Sequence, residues 1–248
     1  GDDHGCVSSS MPHQSDQVFQ SWHMPVVSPA DVSELVSFGL YGFALSRYSG
    51  AWVGMTALSE VVESSATVDL DAINAQTAAW KPPQEVQALT GHQAPPDGLH
   101  YRWPDLPSLS IESRLQDKLV AVAAFAQVNS IDRTVIDSPQ AHIGIVTAGK
   151  AHHDLMEVFR RLGLSEAALA NAGVRVLKLG LTFPVDAPRL QGFAQGLREL
   201  LVIEEKAPIV EQQLRDLFYN APVRPTIVGK RNTQGQALLS AMGELRPS

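Results

Sequence analysis

A single cysteine, Cys6, stands in 248 residues. One thiol can close no disulfide framework and cannot complete an iron–sulfur cluster or an all-cysteine zinc site. Such cysteine poverty suits a reducing compartment, so the cytoplasm is the expected location. No apolar run nears the roughly 18 residues of a membrane-spanning helix, and no basic n-region opens the chain as in a signal peptide. Basic residues are few as well: 19 Lys and Arg face 26 Asp and Glu, a net charge of −7. A nucleic-acid footprint needs clustered Lys and Arg, so no such partner is expected. Self-sufficient motifs are missing too. There is no Gly-x-Gly-x-x-Gly, P-loop, Gly-x-Ser-x-Gly, His-Glu-x-x-His or Cys-x-x-Cys.

What is present is the material of a packed α/β protein. Apolar residues make up 44% of the chain, enough core for one large domain or two ordinary ones. Ser10-Met11-Pro12 reads as a helix start, with a short helix to Trp22, and Met24–Val27 as a buried strand. Ser28 and Pro29 then suit the N-cap and first position of a helix to about Ser46, with Asp31 in its first turn. Its apolar face would be Val32, Leu35, Val36, Leu40, Phe43 and Ala44. Ala51–Met55 is the next strand, and β-α-β favours parallel pairing by a right-handed crossover.

From about Asp69 to Ser110 periodicity is lost and prolines recur at 82, 83, 95, 96, 104 and 107. This predicts a long surface connector pinned by Trp80, Tyr101 and Trp103. A helix over 111–129 follows. Strands are then predicted at Thr134–Ile136, Ile143–Val146, Val174–Leu177, Leu200–Ile203 and Thr226–Val228. Helices are predicted near 151–162, 165–172, 188–198 and 208–218. Continuous apolar strands between helices imply a sheet covered on both faces.

The chain opens on Gly1-Asp2-Asp3-His4-Gly5 without an initiating Met. Such turn formers usually follow a strand, and none precedes them. The sequence therefore reads as an internal piece of a larger protein, its first residues the cut end of a site loop, and that loop is expected to be poorly ordered or misplaced. Asp2, Asp3, His4, Ser8, Ser9, Ser10, His13, Gln14, Ser15 and Asp16 crowd into this segment, and His13 can titrate near neutrality. A polar surface loop and a site loop needing partner residues from elsewhere both suit it. Its spacing matches no defined metal pattern.

Thr147-Ala148-Gly149-Lys150 ends like a P-loop without the upstream glycine. A plain βα turn with Lys150 solvated is the expectation, although the helix start could receive an anion. Adjacent His152 and His153 point to different helix faces and are expected at the surface. Glu204-Glu205-Lys206 ends an apolar strand where α/β sites form. Those acids could cap the next helix, serve an interface or act directly.

Several ordered blocks carry a resemblance. They are residues 1–16, Ser46–Gly54, Val62–Ala66, Arg102–Asp105, Val135–Pro139, Gly144–Lys150 and Val202–Lys206. Together they resemble indolepyruvate ferredoxin oxidoreductases of the long, fused bacterial form, thiamine-diphosphate-dependent 2-oxoacid:ferredoxin oxidoreductases. The resemblance implies an α/β fold in three parts. Residues 1–68 would be the C-terminal part of a thiamine-diphosphate pyrimidine-binding domain and 69–110 a connector. Residues 111–248 would be a transketolase C-terminal-like three-layer α/β/α domain.

The resemblance also implies thiamine diphosphate, Mg²⁺ and iron–sulfur clusters in the full enzyme, none of them complete within this chain. Partners would be the enzyme's remaining domains, a second copy in a homo-oligomer, ferredoxin, CoA and a 2-oxoacid. Related transketolases carry a His-Gln step in the matching loop, so His13 would be catalytic. Gln14, Ser8, Ser9, Asp3 and His4 would lie near substrate and cofactor. Glu204, Glu205 and Lys150 remain interface candidates. Two further readings are a self-standing binding or assembly module and another thiamine-diphosphate enzyme with a different acceptor.

Overall fold

A computed structural model describes residues 1–247. Its first part comprises α1 (Asp16–Ser21), β1 (Val26–Val27), α2 (Val32–Ser49), β2 (Gly54–Met55) and α3 (Ser59–Val62). Then come α4 (Leu70–Ala78), α5 (Pro83–Thr90) and α6 (Ser110–Val128). The rest holds β3 (Arg133–Ile136), β4 (Ile143–Ala148), α7 (Lys150–Arg161), α8 (Glu166–Asn171), β5 (Val174–Leu179), β6 (Leu181–Phe183), α9 (Ala187–Phe193), β7 (Glu199–Ile203), α10 (Val210–Phe218) and β8 (Thr226–Val228).

Two sheets result. The larger has the order β3-β5-β4-β7-β8, parallel except for the antiparallel edge strand β3. Alternation along its strands feeds two cores. Val146, Leu177, Leu200 and Val202 pack under α9 and α10, while Ile145 and Val176 pack under α7 and α8. Both faces are covered, as the apolar strands predict. Gly144 shows how tightly: a Cβ there would stand 2.4 Å from Leu197 Cδ1.

The smaller sheet is β2-β1-β6, with β1 and β2 parallel and β6 antiparallel to β1. Strand β6 was not foreseen. It follows β5 after only Gly180, and its chain crosses from one sheet to the other there. The buried Asp132 carboxylate holds the crossing by accepting from Gly180 N (2.7 Å) and Leu181 N (3.2 Å). Burial pushes this carboxyl up to about 6 against those two hydrogen bonds.

Helix α2 begins later than expected. Asp31, not Ser28, is its N-cap and accepts from Glu34 N at 2.9 Å, because the Ser28 hydroxyl is engaged across the sheet with Thr56 and Thr182. The expected apolar face is also displaced. Phe38, Tyr41 and Leu45 are buried, whereas Val36, Leu40 and Phe43 are 39%, 40% and 68% exposed. Apolar residues surround this helix, so periodicity alone could not choose the face that α6 covers. Trp52 is left 81% exposed beside Phe43.

The stretch 69–110 is not structureless. Asp69 caps α4 by accepting from Ala72 N, and Pro83 sits in the first turn of α5, where its missing N–H costs nothing. Ile73 and Val86 are buried, and Trp80 meets Tyr41 edge-on at 5.6 Å. Tyr101 and Trp103 are 48% and 80% exposed. Arg114 on α6 instead clamps the segment before it, with Nε 2.7 Å from Asp105 and Nη2 2.9 Å from Asp97. Helix α6 was expected to open the second domain, yet Val122, Ala124, Phe125 and Ala126 pack with Phe38, Tyr41 and Leu45 of α2.

Candidate functional site

In an open parallel sheet, ligands gather beyond the strand C-termini where the order of connection reverses. That point here lies between β4 and β7: β4 leads through α7 and α8 to β5 on one side, and β7 leads through α10 to β8 on the other. The crevice is lined by Ala148, Gly149 and Lys150 from the first turn and Glu204, Glu205, Ile209 and Val210 from the second. The N-terminal loop fills it. His4, Gln14 and Asp16 complete the wall, with a cavity of about 50 Å³ left between them.

The loop is docked on the rest of the chain. Its stem forms a parallel bridge, Asp2 to Leu58, with Asp2 N donating to Ala57 O at 3.0 Å and Ser59 N to Asp2 O at 3.1 Å. The Asp3 carboxylate accepts from the backbone N–H groups of Val7, Ser8 and Ser9 at 2.7–2.8 Å. Burial works against its charge, but these three donors outweigh it and hold the carboxyl well below the usual range. Asp2 accepts from Ser15 N at 2.9 Å and closes the other end of the loop. The helix expected from Pro12 starts only at Asp16 because residues 11–15 belong to this closure. Ser8, Ser9 and Cys6 are exposed at the tip.

His13 is half-exposed and bound by carbonyls. Nε2 lies 3.0 Å from Gly1 O and Nδ1 3.3 Å from Met11 O. A neutral imidazole can donate from one nitrogen only, so two carbonyl partners favour the imidazolium. These carbonyls, with Asp2 at 3.7 Å, raise its pKa. Gln14 points the other way, across the crevice. Its Oε1 accepts from Ala207 N at 3.0 Å, and its Nε2 donates to Asp16 at 3.1 Å and to Ala207 O at 3.4 Å. The two neighbours thus face different surroundings.

His4 is 5% exposed and neither ring nitrogen makes a hydrogen bond. Nδ1 does lie 3.4 Å from Glu205 Oε2, without hydrogen-bond alignment. Glu205 also accepts from Leu245 N at 3.1 Å and lies 3.6 Å from the Lys150 ammonium. Glu204 caps α10 by accepting from Ile209, Val210 and Glu211 N at 2.8–3.0 Å. Burial raises its pKa against those donors.

Lys150 is not solvated. It bonds Asp154 and Leu245 O, each at 2.8 Å. Burial lowers its pKa, but Asp154, Glu205 and Glu244 outweigh this and raise it. His152 departs from expectation as well: it is 6% exposed, beside Thr147 Oγ1 at 3.0 Å, while His153 stays at the surface near Asp31. Burial, then the charges of Lys178 and His153, push His152 down to about 3. Sequence reasoning missed the hydroxyl row Ser28–Thr56–Thr182 at the crevice wall (2.8 and 3.1 Å). Residues 154 positions apart give no local signal of such a contact.

A 2-oxoglutarate:ferredoxin oxidoreductase from Magnetococcus marinus superposes with a TM-score of 0.53 at 14% identity, over 90% of this chain and 40% of that one. The chain is thus an α/β protein with the fold of 2-oxoacid:ferredoxin oxidoreductases. More narrowly, residues 133–248 match the family model described as the indolepyruvate oxidoreductase domain. The indolepyruvate oxidoreductase subunit IorA of Pyrococcus abyssi is 25% identical over 231 residues, 92% of this chain and 33% of that subunit. Its counterpart in Methanothermobacter thermautotrophicus is 23% identical over 213 residues, 84% of this chain and 30% of that subunit. The chain spans about a third of the length of these curated relatives.

Among the described residues no group of three or more His, Cys, Asp and Glu is placed to hold a metal ion. These residues therefore do not by themselves fit the metal–diphosphate end of thiamine diphosphate. No helix among them is long and apolar enough to cross a membrane.

Proposed function

We propose that this chain is part of an indolepyruvate:ferredoxin oxidoreductase, which decarboxylates aryl 2-oxoacids oxidatively to acyl-CoA and reduces ferredoxin. The likeness to IorA subunits along 92% of the chain carries the reading. The loop docked in the switch-point crevice supports it. Bound thiamine diphosphate would supply the carbon nucleophile. The loop's part is electrostatic. A 2-oxoacid brings a carboxylate and a carbonyl oxygen that gains negative charge during the reaction, and fixed donors stabilise both. We assign this role to His13 and to the exposed Ser8 and Ser9, whose backbone the Asp3 carboxylate holds; the ring would exchange its Gly1 or Met11 carbonyl for the substrate oxygen.

Gln14 is assigned differently. Its amide is spent on Ala207, so it anchors the loop instead of meeting substrate. Glu204, Glu205 and Lys150 are assigned to the contact between the loop and the larger sheet. We divide the chain at 1–68, 69–110 and 111–248 as the resemblance implies, with α6 shared between the first and last parts. Turnover needs the enzyme's remaining domains, an iron–sulfur route to ferredoxin that one cysteine cannot supply, and a pairing of copies. The cytoplasm is the proposed compartment.

The test is ferredoxin reduction by the natural protein that carries this chain, assayed across 2-oxoacids with CoA, with and without thiamine diphosphate. Preference for indolepyruvate or phenylpyruvate is expected. Turnover of only small aliphatic 2-oxoacids would move the assignment to another member of the class.

A further inference from the structure

The segment Glu204–Ala207 closes β7 and touches the N-terminal loop three times in succession. Glu205 meets the His4 ring at 3.4 Å. Lys206 Nζ donates to His4 O at 2.9 Å. Ala207 exchanges hydrogen bonds with the Gln14 amide. Lys206 adopts a left-handed backbone, φ +51°, which turns the chain so that three consecutive residues address the loop. Glu204 ties this turn to the α10 N-terminus, and Lys150 and Leu245 hold Glu205 from behind.

His4 occupies the place where an open α/β sheet would receive a ligand, and the 50 Å³ left beside it holds a few waters at most. We propose that Glu204–Ala207 is a positioning element for the loop that carries His13, and that Glu205 locks this loop through His4. The inference rests on reading that loop as the substrate-facing segment. Losing Glu205 would remove the carboxylate 3.4 Å from a buried ring whose nitrogens make no hydrogen bond, and the loop would be loosened from its seat.

Amide hydrogen exchange tests the positioning directly, on the natural protein that contains this chain, carrying Glu205→Ala, Glu205→Gln or Lys206→Met. Residues 3–16 should exchange at least about tenfold faster in Glu205→Ala, while β4, β5 and β7 stay protected. Glu205→Gln should fall between, since it keeps the shape and loses the charge. If Glu205→Ala does not fold, Lys206→Met at its half-buried position carries the same expectation. Unchanged loop exchange in the folded variants overturns the proposal. In the natural enzyme, kcat should fall about tenfold in Glu205→Ala with thiamine diphosphate affinity unchanged. Faster loop exchange with unchanged turnover would uphold the positioning role and overturn the substrate-facing reading of the loop.

Discussion

Gln14 and Ala207 are 193 residues apart and hold each other twice: Ala207 N–H donates to Gln14 Oε1 at 3.0 Å and Gln14 Nε2 donates to Ala207 O at 3.4 Å. A side-chain amide paired with a backbone amide in this way fixes both position and orientation. Gln14→Ala should cost about 1–2 kcal/mol in chemical denaturation, since Ala207 loses two partners in a half-buried place. Gln14→Glu should also cost stability, because a carboxylate accepts from Ala207 N but cannot donate to Ala207 O. A Gln14→Glu protein as stable as the parent would contradict the two-way bond.

His13 gives the loop a pH dependence of opposite sign to that of an acid. Its pKa is raised in the folded chain. The stabilisation is therefore full below the unfolded value of about 6.5 and is lost as pH rises through the folded value. Loop amides should exchange faster on the alkaline side, beyond the intrinsic rise, and His13→Phe should remove that excess. The His13 ring resonances should titrate above pH 6.5.

His152 should act in the other direction. It is neutral in the fold down to about 3, while the unfolded chain takes a proton from about 6.5 downward. Stability should therefore fall as pH drops through that window, by about 2 kcal/mol between pH 6.5 and 5 from this one group. His152→Asn should flatten the stability–pH curve over that interval relative to the parent. Identical slopes would mean that His152 is solvated.

Lys178 and Glu34 form a buried ion pair between the larger sheet and α2, with Arg133 also on Glu34 at 2.7 Å. Lys178→Met leaves Glu34 with Arg133 as its remaining cation, so its cost should stay below the roughly 3–5 kcal/mol of an unpaired buried charge. Lys178→Met with Glu34→Gln should recover part of that loss. A double variant no more stable than the single one would show that the pair is not coupled. Equilibrium denaturation of the three proteins decides it.

The larger sheet was legible because its strands are short unbroken apolar runs between amphipathic helices, and Thr226–Val228 was placed to the residue. Three things were not legible. Helix α2 is apolar around most of its circumference, so the choice of Phe38, Tyr41 and Leu45 as the buried face depended on α6. The prolines of 82–83 read as breakers but start α5, a distinction set by the residues they precede. Strand β6 has only three residues, and its pairing with β1 is a long-range choice. In the loop, the density of polar groups was visible, but its docking was not. The Asp3 clasp is local and could have been read from an acid followed by free N–H groups; the hold of residues 205–207 on His4 and Gln14 could not.

The account turns on whether the chain serves 2-oxoacid oxidation through this loop. The most direct measurement is the rate of indolepyruvate-dependent ferredoxin reduction by the natural protein, with CoA and thiamine diphosphate, beside the same protein carrying His13→Ala. The account predicts reduction that requires both the 2-oxoacid and thiamine diphosphate, and a fall of at least about tenfold in kcat for His13→Ala, as for loss of one oxyanion donor or more. Reduction that proceeds without thiamine diphosphate, or a His13→Ala protein with bound cofactor and unchanged turnover, would contradict it.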